Sequence, residues 1–370
     1  MIYCRRCILP DTRPNLEIGP GGVCNACLAH ETKRQIDWGA RAAAFRAVVA
    51  NAKAKSTGYD CLVPVSGGKD STWQVLQVLQ AGLRPLAVTW KTPARTPVGQ
   101  RNLDNLVRLG VDHIDFQINP KIEARFMLEA LVRKGDPAIP MHMAIFNIPR
   151  TIARLYRIPL IVWGENSAFE YGGTEQERQG FAMDANWLRK YGVTQGTTAR
   201  DWIGDSLTES DLLPYFGPPA ESGEPSTLGV FLGYYFPWDP QTTLTAALQH
   251  GFTVRAEGPK VGYYDYADID DDFISIHHYL KWYKFGFTRL FDNLSLEIRN
   301  GRMSRDRAIS ILKQTGDQYP DADIARFCEF AGISRSRFQQ AIEPFRNLKI
   351  WEKRGAKWAI PGFLVPDWSW

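Results

Sequence analysis

The sequence predicts an α/β protein: a parallel sheet with helices on both faces, a small cysteine-bearing module in front and a helical region behind. Three observations predict it. Short apolar runs alternate with segments of helical periodicity from about residue 58 to 260, the pattern of strands joined by crossover helices. The first of these runs, Cys61 to Val65, leads through Ser66-Gly67-Gly68-Lys69-Asp70-Ser71 straight into a helical pattern. Two Cys-x-x-Cys pairs, Cys4/Cys7 and Cys24/Cys27, stand near the start. The expected units are residues 1–57, 58–260 and 261–370.

Composition narrows the class. A chain of 370 residues is long enough for two or three domains. Its hydrophobic fraction of 44% and charged fraction of 23% are those of an ordinary soluble protein. A net charge of +4 is too mild to argue for a nucleic-acid partner. No apolar run reaches the roughly 18 residues of a membrane helix. The opening residues lack the apolar centre of a signal peptide, so a cytoplasmic location is expected, with no membrane partner. In that compartment six cysteines serve more readily as ligands or bystanders than as disulfides.

In the first unit, the stretch between the cysteine pairs holds Pro10, Pro14, Gly19, Pro20, Gly21 and Gly22, which is turn chemistry. So short a stretch cannot fold on its own core, and a metal would supply what the core lacks. Four thiolates at this spacing suit tetrahedral zinc in a closed structural site. Two disulfides, an iron–sulfur cluster and free thiols are the alternatives. His30 is a spare ligand the set does not need. A helix is expected from about Glu31 to Ala54.

In the second unit, strands are expected at Cys61–Val65, Pro85–Trp90, His113–Phe116, Leu160–Trp163 and Val230–Phe236. Helices are expected near 70–81, 99–109, 120–134 and 141–156. Right-handed crossovers would bring the loops after successive strands to one edge. Three of these loops carry chemistry. In Ser66–Ser71, paired glycines allow close backbone approach. The N–H groups opening the next helix favour an anion, Lys69 adds a charge, and Ser66 and Ser71 add hydroxyls. Asp70 is a candidate Mg²⁺ contact or simply a partner of the helix dipole. In the loop after the second strand, Thr89 and Trp90 lead to Lys91-Thr92-Pro93. In the loop after the fourth, Gly164 permits close approach, and Glu165 either holds a ribose hydroxyl or a metal or is a solvated carboxylate. Residues 170–228 read as irregular and Gly/Ser/Thr/Pro-rich, an active-site cover or substrate contact.

In the third unit, an acidic run, Asp265 to Asp272, precedes Ile276 to Phe287. On a helix, His277, Lys281 and Lys284 share one face, and His278 lies beside it. Substrate or phosphate binding and pairing with the acidic run are the two readings. Helices near 304–314, 321–331 and 335–345 outline a helix-turn-helix, read as a hairpin packing on the body. The tail from Trp351 to Trp370, with four Trp, is expected to dock.

The order Ser66-Gly67-Gly68-Lys69-Asp70-Ser71 after a strand resembles the PP-loop ATP pyrophosphatases, of adenine nucleotide alpha hydrolase-like fold. That resemblance implies ATP and Mg²⁺, cleavage between the α and β phosphates, pyrophosphate held by residues 66–71, and adenine and ribose held by Thr89, Trp90, Gly164 and Glu165. Cys4 to Pro14, Gly22 to Cys27, His277 to Lys281, Phe285 to Phe287 and Glu297 to Arg302 resemble the N-acetyl sugar amidotransferases of bacterial surface-polysaccharide (lipopolysaccharide O-antigen) synthesis. This second resemblance implies that AMP is placed on the acetamido oxygen of a UDP-linked sugar and that ammonia then displaces it, leaving an acetamidino group. Neither Cys61 nor Cys328 sits in a glycine-flanked elbow, so no glutaminase is expected within the chain. Ammonia would come from a separate glutaminase, resembling the histidine-biosynthesis glutaminase with its cyclase partner. The rival is a tRNA-thiolating PP-loop enzyme, which would need a sulfur-carrying cysteine and a basic RNA surface.

Overall fold

The computed structural model describes residues 1–218, 227–366 and 368. The chain opens with a loop closed by two bridges, Tyr3 with Pro10 and Ile18 with Cys24. Helix α1 (Asn25–Thr32) starts behind Cys24. The single helix expected over 31–54 is broken. A 3-10 turn covers Lys33–Gln35, and α2 (Trp38–Lys55) restarts at Asp37, whose carboxylate accepts the Ala40 N–H at 2.9 Å. An Asp in this position is a start signal that outweighs continuity of pattern.

Strand and helix then alternate: β1 (Cys61–Pro64), α3 (Lys69–Gln80), β2 (Pro85–Trp90), α4 (Pro97–Val107), β3 (Asp112–Phe116), α5 (Pro120–Lys134), α6 (Ile139–Leu155) and β4 (Leu160–Trp163). Pro97, Pro120 and Pro140 stand in first turns, where a missing N–H costs nothing. Residues 167–191 form the short helices α7 (Ser167–Tyr171), α8 (Glu175–Arg178) and α9 (Ala185–Tyr191), and 3-10 turns follow at Ala199–Trp202 and Leu213–Tyr215. The segment read as irregular is thus partly helical; its residues 219–226 lie outside the described ones.

Strand β5 spans Leu228–Phe231, shorter than expected. Its register runs from Leu160↔Leu228 to Trp163↔Phe231, where β4 ends; beyond it Gly233 N–H bonds the Gly164 carbonyl at 3.1 Å. The chain coils there into α10 (Leu232–Tyr235), then α11 (Pro240–Gln249), α12 (Ile274–Phe285), α13 (Arg289–Arg299), α14 (Arg305–Thr315), α15 (Asp321–Ala331) and α16 (Arg335–Ile342). A hairpin of β6 (Glu352–Arg354) and β7 (Lys357–Ala359) closes the fold. No helix among the described residues is long and apolar enough to cross a membrane.

The sheet is parallel throughout, in the order β3-β2-β1-β4-β5. The chain moves outward from β1 to β3, then returns to the other side of β1 for β4. That reversal opens a crevice at the carboxyl ends of β1 and β4, where such sheets bind ligands. Both faces are covered. Leu62 joins the core that includes α6, while Cys61 and Val63 join the core that includes α2 and α3.

A third core unites the two ends of the chain. Cys4, Cys7, Cys24, Cys27, Ile8 and Leu9 are buried with Trp282, Phe287, Phe291, Phe327 and Trp351. The α15–α16 hairpin packs on α5, turning through Gly332 in the left-handed region. In the tail, Trp351 Nε1 donates to the Trp282 carbonyl at 3.2 Å and Trp368 lies edge-on to Trp282; Trp370 is outside the described residues.

One ion cluster ties this core together. Asp292 is 1% exposed. It accepts from Arg13 Nε at 2.8 Å and lies 3.6 Å from Lys281 Nζ. Removing one partner of a buried pair leaves charge uncompensated, a loss of about 3–5 kcal/mol. Asp292→Ala is therefore expected to lower unfolding stability by about that amount in urea titrations. An unchanged midpoint would show that the cluster contributes nothing.

Candidate active site

The site starts where β1 runs out. Val65 N–H still bonds the Val88 carbonyl, and the chain then turns. Ser66 N–H donates to Ser71 Oγ at 3.1 Å, and Gly68 N–H to Ser66 Oγ at 3.3 Å, so the two hydroxyls close the loop on itself. Gly67 has φ +89°, and a Cβ there would lie 2.6 Å from the Leu103 backbone nitrogen of α4. Only glycine fits. Gly68 caps α3 without a side chain, so the first-turn N–H groups are left for an anion. Lys69 Nζ bonds Asp70 Oδ2 at 2.6 Å, and Thr243 of α11 donates to Asp70 Oδ1 at 3.0 Å.

A cavity of about 440 Å³ opens at this crevice. Ser66, Ser71, Thr89, Trp90, Gly164 and Glu165 all line it, so the three sequence-predicted loops meet around one space. Lys69 and Asp70 instead line a small adjoining cleft, which Glu165 shares. The phosphate loop is thus the wall between the two spaces.

Each lining residue is held by a neighbour. Thr89 spends its hydroxyl on His113 Nε2 at 2.9 Å. Trp90 Nε1 donates to Glu123 Oε1 at 2.8 Å. Burial pushes the Glu123 carboxyl up to about 8, so it is largely protonated at neutral pH. At Gly164 a Cβ would lie 2.3 Å from Gln74 Nε2, so a larger residue there would displace the end of that side chain. The Glu165 carboxyl is raised, first by burial and next by Asp70. A dication between Asp70 and Glu165 would relieve that repulsion, so the pair fits a hard metal ion.

Sequence reasoning missed one wall. Asp268, Asp270 and Asp271 line the cavity rather than leading solvated into α12. Thr92 Oγ1 donates to Asp271 Oδ1 at 2.8 Å, while Asp271 Oδ2 is buried without a hydrogen bond among the described residues. Burial pushes Asp271 up to about 7. Burial also raises Asp270, and the Ser66 hydroxyl beside it works the other way. His142 of α6, also on the cavity wall, was missed too. Its Nδ1 lies 2.8 Å from the Ala138 carbonyl, which assigns Nδ1 as the donor. The repeated acidic residues were the only visible signal for the first wall; a lone His in an apolar helix gives none.

The four basic residues of α12 are neither solvated nor open. His277 Nδ1 lies 2.9 Å from Asp136 Oδ1, and Lys284 Nζ lies 3.3 Å from Asp136 Oδ2. His278 Nε2 meets Asp268 Oδ1 at 3.3 Å, with Arg289 Nε 2.9 Å from Oδ2. Lys281 faces Asp292. Burial favours neutral Asp268, but Arg289 and His278 outweigh it and hold the carboxyl well below its ordinary range. Of these, the carboxylate at the cavity is Asp268; His278 and Arg289 fix it there.

The cysteines converge as the spacing predicts. The four buried Sγ atoms lie within 4.8 Å of one another, Cys4–Cys27 at 4.0 Å and Cys7–Cys24 at 3.8 Å, with no disulfide. Tetrahedral thiolates at about 2.3 Å from one ion stand about 3.8 Å apart. Backbone N–H groups of Cys7, Cys24 and Cys27 point at the sulfurs. The donors therefore fit a metal ion. Arg299 lies against this cluster and donates from Nη1 to the Glu170 carbonyl at 2.8 Å, while Lys33 pairs with Glu170 at 2.7 Å. Glu170 follows Gly164-Glu165 by one helical turn, so the cysteine module braces the third loop.

Two outcomes follow. Between about pH 4.3, where a free Glu titrates, and about 8, folded Glu123 keeps a proton that the unfolded chain releases. Its contribution is complete below that window and falls as pH rises through it. Glu123→Gln should flatten the decline, raising the melting temperature at pH 8 but not at pH 5; parallel curves would refute the protonated acid. Replacing Cys7 and Cys24 by Ser should abolish bound metal by elemental analysis and speed amide hydrogen exchange across residues 164–170 through the loss of the brace. Unchanged exchange across residues 164–170 in metal-free protein would disprove that coupling.

Residues 261–361 match the family model described as LPS biosynthesis protein WbpG-like, C-terminal domain. No curated protein matches the chain. Among solved structures, NMN synthetase from Francisella tularensis is similar over 72% of this chain and 94% of that chain, at 11% identity and TM-score 0.32. So distant a likeness carries no argument. The C-terminal region is thus similar to a domain of a lipopolysaccharide-biosynthesis family.

Proposed function

We propose that this chain is an ATP-dependent, AMP-forming amidotransferase that converts the acetamido group of a UDP-linked sugar to an acetamidino group in O-antigen synthesis. The observation that carries this reading is the meeting of the Ser66–Ser71 loop, Trp90 and Gly164-Glu165 around one cavity at the strand reversal. The match of residues 261–361 to a lipopolysaccharide-biosynthesis model supports the pathway.

In this reading, the free N–H groups of α3 and Lys69 take the β and γ phosphates, and Trp90 and the Gly164 backbone flank the adenosine. Asp70 and Glu165 would hold Mg²⁺, which neutralises phosphate charge when bound. The acetamido oxygen attacks the α-phosphorus as the bond to the bridging oxygen breaks, and pyrophosphate leaves. Ammonia adds to the activated carbon, the carbon–oxygen bond breaks, AMP leaves with that oxygen, and loss of a proton gives the amidine. The loop contributes charge stabilisation where charge develops, and the bound reactants themselves would displace water from the activated intermediate. Of the basic residues on α12, His278 acts on the acceptor indirectly, through Asp268 at the cavity, whereas His277 and Lys284 are engaged by Asp136 and Lys281 by Asp292. The four-cysteine site would hold structural zinc, since four thiolates leave no ligand position for water.

Ammonia comes from a separate glutaminase. Cys61 lies in β1 and Cys328 in α15, both buried and neither on the cavity. The same fact disfavours tRNA thiolation, which would need one of them as a sulfur carrier.

The test is incubation with ATP, Mg²⁺, ammonium and a panel of UDP-acetamido sugars. AMP and pyrophosphate should form in equal amounts with a sugar in which NH replaces oxygen, and glutamine should not replace ammonium. Lys69→Ala should lower kcat/KM by about 100-fold or more. Release of ADP and orthophosphate would overturn the reading.

A further inference from the structure

A second cavity, of about 320 Å³, adjoins the first, and His142 and Phe146 of α6 line both. Farther along the same helix, Arg150 enters it. Arg150 Nη1 donates to Asn147 Oδ1 at 3.1 Å, and no carboxylate among the described residues pairs with it. Arg189 adds a second guanidinium, and no Asp or Glu among the described residues lines the space. Tyr215, on the same wall, has a buried Oη without a hydrogen bond among the described residues. Gly217 passes so close that a Cβ would lie 3.0 Å from both Arg150 Nη1 and Asn147 Oδ1.

Arg150 is half-buried, and a guanidinium partly withdrawn from water without a counter-charge among the described residues is favoured by an anion that completes it. Its planar fork suits the paired oxygens of a phosphate or carboxylate. The cavity is of ligand size, larger than a lone anion needs, so the anion belongs to a larger molecule. We infer that this second cavity seats the nucleoside diphosphate part of the acceptor, with Arg150 on the diphosphate oxygens. The attached sugar then extends past His142 and Phe146 into the first cavity, where its amide meets ATP. This assignment rests on the proposed function for its choice of acceptor.

Calorimetric titration of the intact protein with UDP and, separately, with ATP tests it. Arg150→Ala should weaken UDP binding about tenfold or more and leave ATP binding within about twofold of wild type. Lys69→Ala should do the reverse, and Arg150→Lys should recover part of the UDP affinity. Gly217→Ala, which crowds the guanidinium without removing it, should weaken UDP in the same direction and covers the case in which Arg150→Ala does not fold. Unchanged UDP affinity in the Arg150 and Gly217 variants, UDP that fails to bind wild type, or UDP and ATP competing for one site would each overturn the assignment. If UDP binds through Arg150 but no AMP is formed, the cavity stands and the reaction falls. If AMP is formed while Arg150→Ala binds UDP normally, the reverse holds.

Discussion

A short antiparallel clasp holds the site together. Arg95 bridges Asp271 across it, Thr96 N–H bonds the Asp270 carbonyl at 3.1 Å, and Asp272 N–H bonds the Ala94 carbonyl at 3.0 Å. Gly99 lets α4 begin against this strand, since a Cβ there would lie 2.6 Å from Asp270 Cα. The clasp carries the acidic run from the C-terminal region onto the loop after β2. Without it the main cavity would lack its Asp268–Asp271 wall, and the phosphate loop would face open solvent on that side. The α/β unit therefore does not complete its own cavity.

Placing carboxylates there is costly, and the surroundings show how the cost is met. Asp268 has Arg289 and His278, and Asp271 has the Thr92 hydroxyl and the Phe273 N–H on one oxygen. Buried charges survive only when paired or hydrogen-bonded. The histidines and lysines of α12 are accounted for by this need whatever else they do. His278 and Arg289 hold Asp268 toward the cavity, whereas Asp136 at the start of α6 has the His277 ring as hydrogen-bond partner and Lys284 as counter-charge. Asp136 in turn accepts the Ala138 N–H at 3.1 Å, just ahead of the helix that carries both His142 and Arg150.

The sequence made the sheet legible because a strand buried on both faces must be apolar along its whole length, and β1, β2 and β4 obey that. It made the turn at Ser66–Ser71 legible because close backbone approach leaves glycine as the only choice at Gly67. The cysteine pairs were legible because thiolate spacing follows from metal geometry. What failed to show were long-range partners. Nothing in Asp268 to Asp272 announces Thr92 or Ser66, and nothing in His142 or Arg150 announces a cavity, since both sit in a helix that reads as core. The end of β5 was misread for a related reason: Leu232 to Phe236 is apolar enough for a strand, but a strand needs a neighbour, and β4 stops at Trp163. Burial by tertiary contact, not local pattern, decided each case.

Helix α6 shows how one element can serve two spaces. Its length carries His142 near the start and Arg150 two turns on, and Ile145 and Pro149 on the main cavity alternate with Asn147 and Arg150 on the second. Pro149 has no N–H to give the Ile145 carbonyl, so the ladder is interrupted midway. A proline inside a helix costs about 3 kcal/mol, and one retained on a cavity wall implies a gain in shape that an unbroken helix would not give. The residues shared by the two cavities, His142 and Phe146, lie one turn apart, and Phe146 falls within the interrupted stretch. Chemistry that joins two bulky reactants, each anionic, requires their charged ends to be kept apart while their reactive atoms touch. A single helix with a cavity on either side of one shared turn satisfies that requirement, with Lys69 and the α3 N–H groups beyond one cavity and Arg150 in the other.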